Sequence, residues 1–150
     1  MSNSGETALN TATQQEIRAS SPVFLQGVFP FLGESLTRPQ RISPDLRYTV
    51  PEGKEAVLVY FRAGNASDQL IYLCVMGDGV ARRYFPIGPQ HESHVELAIK
   101  EPIKAGTVLE IFLAAGAGVY GTVIIDVGFM ERMVSGMLTP TGKNMKGETR

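Results

Sequence analysis

His91 and His94, in His91-Glu92-Ser93-His94, are the residues whose types come closest to a transition-metal site. On an extended segment, positions three apart project to opposite faces, and the pair has neither the i, i+4 helical spacing nor the further ligand of a zinc hydrolase. They read as solvated residues at a strand entrance behind Gly88-Pro89-Gln90, so no metal and no cofactor is expected. Nucleophilic chemistry has one candidate thiol, Cys74, inside Leu70-Ile71-Tyr72-Leu73-Cys74-Val75-Met76. That apolar run makes it a small buried hydrophobe, and with one cysteine the chain can form no internal disulfide and no multi-cysteine metal site. No G-x-S-x-G elbow and no phosphate-cradling glycine pattern is present.

Acid–base chemistry has Asp126, the lone carboxylate of Val119-Tyr120-Gly121-Thr122-Val123-Ile124-Ile125-Asp126-Val127-Gly128-Phe129. Read with a period of two, Val123, Ile125, Val127 and Phe129 face a core, while Asp126 shares the opposite face with Thr122, Ile124, Gly128 and Met130. A carboxylate there calls for a donor, and Arg47, Arg62, Arg82 and Arg83 are the candidates. Asp126 is therefore architectural, through an ion pair or a subunit contact. Arg82-Arg83-Tyr84-Phe85 sets arginines beside aromatics, types enriched in interfaces, and Tyr60 and Tyr72 add aromatic surface suited to a protein or a sugar. Phe129, Met130, Met133, Val134, Met137 and Leu138 recur at helical spacing, which predicts a short helix whose methionines cap the fold or dock on a partner.

The elements that carry these residues are strands. About eight β-branched and aromatic runs, near Val23–Phe29, Leu46–Val50, Ala56–Phe61, Leu70–Met76, Val80–Phe85, His94–Ile99, Val108–Leu113 and Val119–Phe129, are divided by Gly, Pro, Asn and Asp. Met76-Gly77-Asp78-Gly79-Val80 supplies the Asp-Gly turn of a tight hairpin. With no long helix between runs, the fold class is all-β: an antiparallel β-sandwich of jelly-roll or Greek-key type. In His94–Lys100 the alternation puts Val95, Leu97 and Ile99 inward. The third run places Val57, Val59 and Phe61 on one face and Ala56, Leu58 and Tyr60 on the other, and Leu70–Met76 and Val123–Val127 are similarly two-sided. Leu58, Tyr60, Ile71, Leu73 and Ile124 would then form an outward patch that another subunit covers.

The 150 residues suffice for one core. Residues 1–20, rich in Ser, Thr, Asn and Gln, read as a disordered arm, 21–138 as the sandwich domain and 139–150 as a flexible tail. Fourteen Lys and Arg against fifteen Asp and Glu leave a net charge of −1, which gives nucleic acid or an anionic membrane no electrostatic footprint. With no signal-like or spanning segment, the expected compartment is the cytoplasm. The resulting expectation is a non-enzymatic structural or protein-interaction module that forms a homo-oligomer and takes protein partners. A small-ligand or carbohydrate-binding sandwich is the alternative, and an enzyme with an unrecognised site comes third.

Overall fold

In the computed structural model, which describes residues 20–134, ten strands and no helix build two antiparallel sheets. Sheet A has the order β1 (Ser20–Leu32), β10 (Tyr120–Met133), β4 (Lys54–Asn65), β7 (Glu92–Glu96), with β8 (Pro102–Ile103) also pairing β4. Sheet B has the order β2 (Gln40–Arg41), β9 (Val108–Ala115), β5 (Ile71–Gly77), β6 (Val80–Ile87), with β3 (Arg47–Thr49) also pairing β9. β1 lies beside β10, and the chain crosses repeatedly between the sheets, while β2–β3, β5–β6 and β7–β8 each stay within one of them. The result is an antiparallel β-sandwich. Residues 1–19 of the arm, the tail 139–150 and the methionine-rich Met137-Leu138 lie outside the described residues.

The inner faces meet in one core of Leu25, Phe31, Phe61, Ile71, Leu73, Val75, Ile111, Ile125, Val127 and Phe129, among others. Phe61 and Phe85 stack across the two sheets with centroids 3.8 Å apart. The β5–β6 hairpin turns at Asp78 (φ 52°) and Gly79 (φ 78°), the left-handed pair that the Asp-Gly dipeptide favours. Asn65 ties the loops at one end: its amide donates to the carbonyls of Gln69 (2.8 Å) and Gly88 (3.0 Å), and its oxygen accepts from Ser67 N (2.9 Å) and Oγ (2.8 Å).

Three expectations are corrected. The segment from Phe129 to Met133 is not helical; it prolongs β10, because it finds a full ladder on both sides, against β1 and β4. The two-sided reading of the third run fails at a bulge. The β10–β4 register steps from Gly128↔Tyr60 to Phe129↔Leu58, so Val59 is the extra residue, and Ala56, Leu58, Phe61 and Ala63 all face the core. Leu58, Ile71 and Leu73 are therefore core residues rather than an outward patch. Third, Val95 and Ile99 are exposed, because β7 is a short edge strand that ends at Glu96; only Leu97 packs on the core.

Candidate interaction surface

The outer face of sheet A is a grid fixed by register. One row across it reads Phe24, Gly128, Tyr60, Glu96; the next reads Gln26, Asp126, Arg62, His94; the third reads Val28, Ile124, Gly64, Glu92. Asp126 thus stands in the middle of the sheet with its side chain away from the core. Tyr60 Oη donates to Asp126 Oδ1 at 2.8 Å, and Arg62 Nη1 lies 3.9 Å from Oδ2. The Arg62 guanidinium also sits over the Tyr60 ring at 5.7 Å, and His94 meets that ring edge-on at 6.3 Å. Partial burial, followed by the bond to Asp126, raises the Tyr60 hydroxyl above the usual tyrosine range, so it remains a donor.

Tyr60 takes this position because its neighbour has no side chain. A Cβ at Gly128 would fall 2.2 Å from Tyr60 Cε1, so the ring lies flat on the Gly128 backbone and its hydroxyl reaches Asp126. Glycine in a sheet centre forfeits packing, and a cross-strand aromatic restores it. Among the four arginines named for Asp126, the structure brings Arg62 alone to it; the tyrosine partner was not foreseen.

The rest of this face is apolar. Phe24, Val28 and Leu32 of β1 and Tyr120 and Ile124 of β10 are exposed, from 50% for Phe24 to 78% for Tyr120; Val28 pairs with Ile124 and Leu32 with Tyr120, and Phe24 lies beyond the Gln26–Asp126 row. Met130 is half-buried on the same face between Pro22 and Val57, and Met133 ends the strand opposite Lys54.

Arg82 and Arg83 lie on the opposite flank, on β6, and both turn to Glu101, at 3.4 Å and 2.8 Å. Together they roof Leu58, Val75, Leu97 and Ile103 where the two sheets part. The outer face of sheet B carries a second aromatic group: Tyr72 and Tyr84 touch edge-on at 5.7 Å, Tyr72 Oη donates to the Leu36 carbonyl at 2.6 Å, and Arg41 covers the Phe112 ring at 5.6 Å. Cys74 lies in register between Tyr84 and Phe112 and is buried, and burial pushes its thiol up to about 11.

The inventory of chemical groups is spare. His91 contacts the Pro89 carbonyl through Nδ1 at 2.7 Å, His94 is separated from Asp126 by the β4 strand and Arg62, and among the described residues no group of three or more His, Cys, Asp or Glu could hold a metal ion. Two buried carboxylates escaped the sequence reading: Glu110, held by Arg41 at 2.8 Å, and Glu131. Glu131 accepts from Tyr48 Oη and from Lys54 Nζ (2.7 Å), with the Tyr48 ring beside Phe129. The Lys54 bond, then the Tyr48 bond, holds Glu131 below the usual carboxylate range, while burial and Glu131 itself push Tyr48 well above the usual tyrosine range. Tyr48 comes from sheet B and Glu131 from sheet A, so the cluster clasps the two layers at that end. Its partners are 83 residues apart, and a lone glutamate in a charged segment gave no signal.

No protein-family model matches the chain, and no curated protein matches it in sequence. Among solved structures it is similar to the CBM36-1 domain of a multidomain xylanase from the hindgut metagenome of Trinervitermes trinervoides, at 12% identity over 73% of this chain and 96% of that one, with a TM-score of 0.45. It is also similar to a chain from the Bacillus endospore appendages that form a family of disulfide-linked pili, at 10% identity over 77% and 91% of the two chains, with a TM-score of 0.40. Overlaps of this size carry no functional argument. No helix among the described residues is long and apolar enough to cross a membrane.

Proposed function

We propose that this chain is a non-enzymatic β-sandwich module that works by association, first with copies of itself, and that it does so through the β1 side of sheet A. The observation that supports this is the exposure of five large side chains along two paired strands: the cross-strand pairs Val28–Ile124 and Leu32–Tyr120, and Phe24 beyond the Gln26–Asp126 row, with no cover among the described residues. Exposed apolar area gathered on one sheet face marks an interaction surface. Asp126 contributes order to that face: with Tyr60 and Arg62 it fixes the polar centre beside the apolar strip. The pairing of Asp126 and Glu131 with tyrosine and cationic neighbours, and the separation of Asp126 from both histidines, argue against catalysis. A single, buried cysteine accords with a reducing compartment such as the cytoplasm.

Light scattering on the full chain at micromolar concentration tests this. A mass of at least two copies is expected, falling to one copy in Val28→Glu, which plants a charge where the strip meets the β1 edge. A strictly monomeric wild-type chain would remove the main support. A carbohydrate-binding reading rests on a different observation, the Tyr72–Tyr84 pair and Phe112 on sheet B, with Tyr84 exposed. Saccharide binding that Tyr84→Ala abolishes would favour it instead.

A further inference from the structure

The edges of the two sheets are unequal. β2, β3, β7 and β8 are at most five residues long, and β6 carries Pro86, all devices that blunt a free edge. β1 differs: it spans 13 residues, and among the described residues its far side meets no strand. Its backbone polarity follows from one bond. Gly33 N donates to Val119 O (2.6 Å), continuing the β1–β10 register, so odd-numbered residues of β1 bond to β10 and even-numbered ones point outward.

Pro22 and Pro30 both fall in the outward set, where the missing N–H costs nothing to the β10 ladder. Each ring, however, would press against any strand laid alongside. Past Pro30, the Leu32 carbonyl is already taken by Gln40 Nε2 at 2.7 Å. What remains open, among the described residues, is a short window of outward backbone at Phe24, Gln26 and Val28, and its midpoint, Gln26, is also the midpoint between the two prolines.

We infer that two copies of this chain join edge to edge through β1, antiparallel about a two-fold axis at Gln26, so that sheet A runs continuously through the pair. This deepens the association reading above and rests on it. With the axis at Gln26, Phe24 bonds to the partner's Val28, Gln26 to the partner's Gln26 and Val28 to the partner's Phe24, each pair exchanging two N–H···O bonds. Both prolines of each copy then lie just beyond the paired segment. Sliding the register by one residue in dyad position sets Pro30 of one strand against Phe24 of the other and sacrifices a rung.

The side chains agree with this register. Phe24 packs beside the partner's Val28, which adjoins the partner's Ile124, so the apolar strip continues across the axis instead of ending at it; opposed Gln26 amides are neutral and self-complementary. An isologous interface of this kind is closed and stops at two copies, and main-chain bonding at a sheet edge is an established mode of protein association.

The test uses three full-length variants and one truncation. Gln26→Cys places thiols at the axis, where the Cα separation of a bonded pair, about 5.5 Å, falls within the range a disulfide spans; mild oxidation is expected to convert most of the protein to covalent dimer, at least tenfold more than Glu96→Cys on the opposite edge, with Cys74 buried and silent. Gln26→Pro removes the central donor at a position whose outward N–H the β10 ladder does not use, and is expected to give monomer with an unchanged far-ultraviolet circular dichroism spectrum. If wild type is a dimer that persists in Gln26→Pro and Gln26→Cys does not cross-link, the copies associate through another surface: the edge pairing is overturned and the association reading stands. If removal of residues 1–19 dissolves the dimer while Gln26→Cys stays uncross-linked, the arm and not β1 fills the edge, which also overturns it. A monomeric wild type overturns both.

Discussion

Replacing Gly128 with alanine isolates the contact that organises the centre of sheet A. The new Cβ would lie 2.2 Å from Tyr60 Cε1, far inside van der Waals contact, so the ring must swing off the strand and release its 2.8 Å bond to Asp126. A hydrogen bond to a charged acceptor contributes about 1.5–3 kcal/mol, and the lower end applies because Asp126 retains about a third of its exposure. The lost ring contact adds about 0.5–1 kcal/mol, typical of a cross-strand pair. Against this, Gly128 has no left-handed φ, so alanine fits the backbone and stabilises by about 0.4–1 kcal/mol through the unfolded chain. The net expectation is a loss of about 1–2 kcal/mol. In a Tyr60→Ala background the obstacle is gone, and the same Gly128→Ala change should turn neutral or stabilising by about 0.5 kcal/mol. Urea unfolding followed by circular dichroism, at one protomer concentration, gives the four corners of the cycle. A coupling energy within about 0.5 kcal/mol of zero is what independent sites show, and it would refute the stacking of Tyr60 on Gly128.

Two further outcomes follow from the buried ionisable groups. Glu131 has a depressed folded pKa, so its contribution is fully present above the ordinary carboxylate value of about 4.3 and is lost as pH falls through the folded value; urea midpoints taken from pH 7 down to pH 2.5 should fall less steeply in Glu131→Gln than in wild type, and parallel curves would count against the clasp. The Cys74 thiol, buried and pushed up to about 11, should resist an aromatic disulfide reagent at pH 8 in the native protein and react fully in 6 M urea; rapid native labelling would show that the outer face of sheet B opens.

Much of the fold was legible because local rules and global packing agree along most of the chain. Period-two reading places Asp126 correctly, since β10 pairs with β1 without a break from Tyr120 to Arg132, and the Asp-Gly turn declares its hairpin. The same rule misassigns Val57, Leu58 and Val59, because a bulge adds one residue and a uniformly apolar stretch, Ala56-Val57-Leu58-Val59, gives no sign of where parity changes. The helical spacing of Met130 and Met133 is real, but two flanking ladders outweigh a weak local preference. Val95 reads as a core residue from alternation alone; what exposes it is its place on an edge, which is a property of strand order. The partners of Asp126 and Glu131 required the register itself, since Tyr60 and Tyr48 lie 66 and 83 residues away from the acids they meet.

The neighbourhood of β1 and β10 also sets a timetable. Ser20 pairs with Arg132 and Leu32 with Tyr120, so β1 leaves the ribosome well before β10, the strand it is bonded to. Synthesis at about 5–20 residues per second leaves β1 without its partner for several seconds while β5 and β6 already have each other. Loop-closure entropy makes so distant a pairing slow even for the finished chain. Throughout that interval both edges of β1 are open and its apolar side chains are bare, which makes this strand the point at which a nascent chain is most exposed to chaperone capture or to a neighbouring polysome, and Pro22 and Pro30 the residues that limit how far such a stray ladder can extend.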